Sequence, residues 1–256
     1  LIVLFFPFFV HASIFNSSSI VHPEVNENGM VVSQHYLASS VGAQILKDGG
    51  NAYDASIAVA FALAVVLPRA GNIGGGGFMV MYDEKTNKSF SIDYREKAPA
   101  LASKDMYLND DGSVNKKRAR EGILSIGVPG TVYGMWEVHK KFGSLPWKKL
   151  LEPAVRLAEE GFFMSPFMVD ALNKRYKKLS NYENFKKIFY KDFPVQMNKR
   201  LFQLELAETL KIISKKGVNG FYEGEVADKI VSDMKNRKGL ISLKDLKNYR
   251  PVWREP

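Results

Sequence analysis

The segment Asn51–Val66, NAYDASIAVAFALAVV, is the strongest constraint on how this chain can fold. Asp54 stands in its first turn, Pro68 lies just past its end, and from Ala55 to Val66 it is almost wholly apolar. That pattern predicts a helix, and a helix apolar all round has to be buried. At 1.5 Å per residue the continuous apolar rise is only about 18 Å, too short to span a bilayer. The expected place for it is a helical layer packed on a sheet. Upstream, Met30–Gln34 reads as a short strand, followed by a helix carrying Leu37, Val41, Ile45 and Leu46 and stopped by Gly49–Gly50.

The sheet should come from Gly71–Lys97, GNIGGGGFMVMYDEKTNKSFSIDYREK, where four consecutive glycines, Gly74 to Gly77, precede the apolar run Phe78–Tyr82. A polar turn and an alternating segment, Ser89–Arg95, follow. In that second strand Phe90, Ile92 and Tyr94 share one face, and Ser89, Ser91, Asp93 and Arg95 the other. Arg95 thus emerges at a strand end beside a glycine loop whose backbone can approach a ligand closely. A guanidinium so placed suits two-pronged capture of a carboxylate or phosphate. The plainer alternative is a surface ion pair with Asp93 or Glu96, the glycines being only a turn.

Residues 1–13, LIVLFFPFFVHAS, form an apolar run interrupted by Pro7, too short for a spanning helix. They read as part of a signal peptide, with cleavage after Ala12, and imply a periplasmic or secreted protein with no stable membrane anchor. Residues 14–28, rich in Ser and Asn, read as a linker, and 29–256 as the folded region. That length supports one large domain or two small ones. The chain has no cysteine, which excludes disulfides, thiolate metal sites and a cysteine nucleophile. The net charge of +9 gathers in clusters such as Lys116–Arg118 and Lys174–Lys178. In the latter, Tyr176 and Leu179 fall at helical spacing, as on a solvated helix, and no nucleic-acid-binding motif accompanies them. No nucleic-acid partner is expected.

The excursion Ala98–Glu121 is rich in turn signals, notably Asn109–Gly112. The segment Ile126–Gly134, IGVPGTVYG, leads into a helix through Met135, Val138 and Phe142. Further helices are expected near Trp147–Glu160, Pro166–Leu179, Leu201–Lys215, Phe221–Met234 and Ser242–Asn248, with Ser242 as an N-cap. His35 at a helix start and His139 on a helix read as structural, since no partner spacing is visible.

Taken together, several stretches resemble the N-terminal part of bacterial γ-glutamyltranspeptidases, also called glutathione hydrolases. They are Gly49–Ala52 with Asp54–Ala55, GNIGGGGF at 71–78, REKAPA at 95–100, GVPGTVYG at 127–134 and GFYEGEVADKI at 220–230. The resemblance covers roughly Met30–Trp253. It implies an α/β (α+β) fold, the αββα sandwich of N-terminal nucleophile hydrolases, of which this region would be an incomplete large subunit. It also implies a precursor that cuts itself before a threonine, which then serves as nucleophile and, through its α-amine, as its own base. Glutathione and other γ-glutamyl compounds would be the substrates, a small subunit the partner, and no cofactor or metal would be needed. The arginine that grips the glutamyl α-carboxylate falls on Arg95.

The threonine nucleophile and the oxyanion glycines belong to the family's small subunit, so no residue here is expected to be catalytic. Thr86, Thr131 and Thr209 are the only threonines, and none lies in a processing context. Thr131 reads as a helix-start residue. Leu67 stands before Pro68, where many relatives carry histidine. A related acylase of the cephalosporin-acylase kind is the alternative enzyme, and a non-catalytic carboxylate-binding protein the alternative outside enzymes.

Overall fold

The computed structural model describes residues 25–256, so the signal peptide expected at 1–13 and most of the linker lie outside the described residues. Helix α1 (Tyr36–Lys47) begins at His35, whose Nδ1 accepts from the Leu37 N–H at 3.3 Å. It ends before Gly49, whose φ of +88° no β-carbon would tolerate comfortably. The apolar segment forms α2 (Ala52–Val66), opened by a reciprocal cap between Asn51 and Asp54. The strand expected at Met30–Gln34 is not formed. Residues 31–34 pair with no strand among the described residues, and Val32 stands 84% exposed.

Strands β1 (Phe78–Asp83) and β2 (Lys88–Asp93) make an antiparallel hairpin, with Phe78 opposite Asp93 and Met81 opposite Phe90. The excursion that follows contains a short helix, α3 (Lys116–Arg120), which the turn signals do not announce. Next come α4 (Thr131–Phe142) and α5 (Trp147–Glu160). A small ribbon of β3 (Phe162–Phe163) and β4 (Arg200–Leu201) encloses α6 (Pro166–Lys174), α7 (Tyr176–Leu179) and α8 (Glu183–Phe189). The chain then forms α9 (Leu204–Lys216), α10 (Asn219–Tyr222), α11 (Glu225–Asn236), α12 (Leu243–Asn248) and β5 (Val252–Arg254).

Three expected helices change their bounds for local reasons. The segment Pro166–Leu179 breaks at Arg175, and Leu201 is drawn into the ribbon, so α9 starts three residues later. Gly224, at φ +68°, divides Phe221–Met234 into α10 and α11.

Helix α2 packs against α1, α4 and α5, and α5 packs against α9. Ile57, Phe61 and Val65 are fully buried, each worth about 1.5–3 kcal/mol of apolar transfer. Phe61 meets the edge of Trp147 at 5.5 Å, and the Trp147 indole N–H donates to the Ile213 carbonyl at 3.1 Å. The sheet has the order β1-β2-β5. One face, carrying Ile92, Met81 and Phe90, turns to the helices, with Phe90 5.1 Å from Phe142 of α4. On the other face Phe78, Val80 and Tyr82 are 57%, 72% and 60% exposed. Residues 31–256 form one compact unit. Among the described residues no helix is long and apolar enough to cross a membrane.

Candidate functional site

Three pieces of backbone meet at the end of β2, and glycine makes the meeting possible. The Gly75 carbonyl accepts from the N–H groups of Gly130 and Thr131 at 2.7 and 3.0 Å, joining the glycine loop to the start of α4. Gly77 and Tyr94 exchange backbone bonds, and Lys97, three residues after Tyr94, does the same with Val128. A β-carbon on Gly130 would come within 1.9 Å of the Tyr94 carbonyl and 2.1 Å of the Tyr249 hydroxyl. One on Gly76 would lie 2.8 Å from the Arg95 Cα. Neither glycine has a positive φ, so what each position requires is space rather than conformational freedom.

Arg95 lies two residues beyond the last ladder residue of β2 and is exposed. Its backbone N–H donates to Asp93 Oδ1 at 3.0 Å, and its carbonyl accepts from the Tyr249 hydroxyl at 2.9 Å. Asp93 is engaged by another arginine. Arg254 Nε and Nη2 both donate to its Oδ2, at 3.0 and 2.8 Å, and this pairing with the Arg95 N–H holds the Asp93 carboxyl below its usual range. Among the described residues the Arg95 guanidinium has no carboxylate partner, neither Asp93 nor Glu96. Lys97, nearby, donates to the Arg250 carbonyl at 2.8 Å and sits 5.4 Å from the centre of the Tyr249 ring.

Behind this end of the sheet stands a group of tyrosines. Tyr249 stacks on Tyr222 with centroids 5.8 Å apart, and the Tyr222 hydroxyl donates to the Pro129 carbonyl at 2.8 Å. Burial pushes the Tyr222 and Tyr249 hydroxyls well above the usual phenol range, so both remain protonated donors. Sequence reasoning singles out Arg95 and the glycine loop and does not single out Tyr249 or Arg254, which the fold brings beside them. Both lie in the segment Tyr249–Arg254, and no local pattern there points to the end of β2.

Elsewhere, a cleft of about 740 Å³ lined by residues including Ile188, Lys191 and Phe202 contains neither Arg95 nor any residue of the glycine loop. His35 and His139 make structural contacts, the latter with the Leu145 carbonyl at 2.8 Å. Thr131 opens α4, Thr86 donates to Asp83 in the hairpin turn, and Thr209 donates to the Glu205 carbonyl within α9. Among the described residues no group of three or more His, Asp or Glu side chains could hold a metal ion.

The gamma-glutamyltranspeptidase sequence model matches residues 38–256. The chain belongs to the gamma-glutamyltranspeptidase family. It is 48% identical over 228 residues to a glutathione hydrolase proenzyme of Pseudomonas sp. (strain A14), covering 88% of this chain and 39% of that protein. The chain therefore spans about two fifths of the length of that relative. Among solved structures, Helicobacter pylori gamma-glutamyltranspeptidase superposes with a TM-score of 0.88 at 41% identity, covering 92% of this chain and 68% of that one. A cephalosporin acylase from Bacillus halodurans superposes at 0.79 with 28% identity, over 95% of this chain and 47% of that one. The fold is thus the mixed α/β architecture of the N-terminal nucleophile hydrolases, and within the described residues it comprises a three-stranded sheet backed by helices and a two-stranded ribbon.

Proposed function

We propose that Arg95 captures the free α-carboxylate of a γ-glutamyl donor. On this reading the complete protein cleaves γ-glutamyl amides, glutathione among them, and passes the acyl group to water or an amino acid. The single observation that carries the reading is the Arg95 guanidinium, exposed and without a partner among the described residues, on a backbone fixed at both its N–H and its carbonyl. A guanidinium fork matches a carboxylate in geometry and charge. The nucleophile would be the threonine that the family carries in its small subunit, so the residues of this chain bind and orient rather than react.

The small subunit is the partner we assign to the exposed sheet face. Phe78, Val80 and Tyr82 offer a contiguous apolar strip on β1, an edge strand, and such a face is usually covered. The Pseudomonas relative supplies a source for the cover, since it is about two and a half times as long as the matched region. A periplasmic or secreted location accords with the apolar run at residues 1–13.

Arg95→Gln in the complete protein tests the site. The KM for a γ-glutamyl anilide should rise about ten- to a hundredfold, as expected for losing a charge-assisted pair, with precursor cleavage intact. Normal binding of γ-glutamyl donors by the variant would refute the assignment. Similarity to the Bacillus halodurans acylase supports a second reading, hydrolysis of other acyl amides. A substrate panel separates the two, because only the first needs a free α-carboxylate.

A further inference from the structure

Arg95 sits where a strand would ordinarily fray. It is past the ladder of β2, and a guanidinium at the end of a long flexible arm can be aimed only as well as its own backbone is held. Both backbone polar groups of Arg95 are bonded to side chains instead of to a neighbouring strand. The N–H is held locally by Asp93, two residues back. The carbonyl is held from 154 residues away by the hydroxyl of Tyr249, a residue only 2% exposed and locked by its stack on Tyr222.

From this geometry we infer that Tyr249 is a positioning residue for carboxylate capture, an inference that rests on the reading of Arg95 given above. Its hydroxyl fixes the peptide plane from which the arginine arm departs, and Gly130 leaves the gap through which that hydroxyl reaches it. Two further ties hold the same arm of chain to the same strand end. Lys97 donates to the Arg250 carbonyl, and Arg254 clasps Asp93. Tyr249 touches no substrate in this scheme and acts only through Arg95.

The test is a double-mutant cycle in the complete protein with a γ-glutamyl anilide as donor. Tyr249→Phe keeps the ring and removes one hydrogen bond, so KM should rise about three- to tenfold while kcat stays within about twofold. Adding Tyr249→Phe to Arg95→Gln should raise KM no further, because the group being positioned is already gone. Tyr190→Phe removes a comparable buried hydroxyl, bonded to the Leu172 carbonyl, and should leave KM unchanged. If Arg95→Gln alone leaves KM unaltered, the reading of Arg95 itself fails. If Arg95→Gln raises KM and Tyr249→Phe does not, or if the two effects simply multiply, only the positioning role is overturned. A measurement on the unmodified protein covers the case in which Tyr249→Phe does not fold. Saturating free L-glutamate should slow amide exchange at 95–97 and 249–250 together, and protection confined to 95–97 would overturn the role.

Discussion

The Ser144 hydroxyl donates to Asp54 Oδ2 at 2.5 Å, joining the turn after α4 to the first turn of α2 across 90 residues of chain. Asp54 is fully buried, yet its carboxylate also accepts from the N–H groups of Asn51, Ser144 and Leu145. One side chain therefore caps the central helix and closes the turn that leads into α5. Asp54→Ala would leave these part-buried donors without their acceptor, at a cost of about 1–3 kcal/mol. Denaturant unfolding of the complete protein should show that loss, and a change below about 1 kcal/mol would contradict the structural role.

Gly130→Ala tests the close meeting of backbones at the site. The φ and ψ of Gly130, −123° and −18°, are open to alanine, so any penalty has to come from the added methyl group. That methyl would overlap the Tyr94 carbonyl and the Tyr249 hydroxyl. Reduced soluble yield, or a melting midpoint lowered by several degrees, is the expected result. A variant with an unchanged melt would show that the loop can retreat.

Acid should loosen the start of α1. Burial lowers the His35 pKa below the usual imidazole value of about 6.5, so the folded state favours the neutral ring, whose Nδ1 accepts the Leu37 N–H. The unfolded chain then binds more protons than the folded one as pH falls through that value. Stability from this group is fully present above about pH 6.5 and is lost on acidification below it. His35→Asn, which keeps a capping acceptor but cannot titrate, should flatten this part of a stability-against-pH curve. An identical slope in the variant would assign the acid sensitivity elsewhere.

The apolar strip on β1 makes a prediction of its own. Val80 is 72% exposed, so Val80→Asp should change the stability of residues 31–256 by no more than about 0.5 kcal/mol. If the small subunit proposed above covers this face, the same change in the complete protein should impair its association, read as a loss of assembled material on size exclusion. Unimpaired assembly would mean that this face stays open to solvent.

Much of this architecture was legible in the residues themselves. The uniform apolarity of Ala55–Val66 announced a buried helix, the glycine run and the alternation of Ser89–Arg95 announced the hairpin, and Ser242 announced the cap of α12. Each of these signals is local. What escaped notice depends on partners distant in sequence. Asp54 reads as a helix-start residue, and nothing in its surroundings points to Ser144. Tyr249 carries no mark of its bond to Arg95, and Val252–Arg254 is too short to show alternation. Met30–Gln34 erred in the other direction, because strand propensity without a neighbouring strand forms no ladder.

The sheet order β1-β2-β5 also governs when the site can be assembled. β5 pairs Arg254 with Ser91 and Val252 with Asp93, closing a loop of chain more than a hundred and fifty residues long. As the polypeptide leaves the ribosome, β1 and β2 can meet at once, but the strand that bears Arg95 gains its second neighbour only after Arg254 has emerged. Until then the arginine projects from an unsupported hairpin. Contacts between segments so far apart form slowly, so a nascent or truncated chain would hold its helices before it holds the strand end proposed to bind a carboxylate.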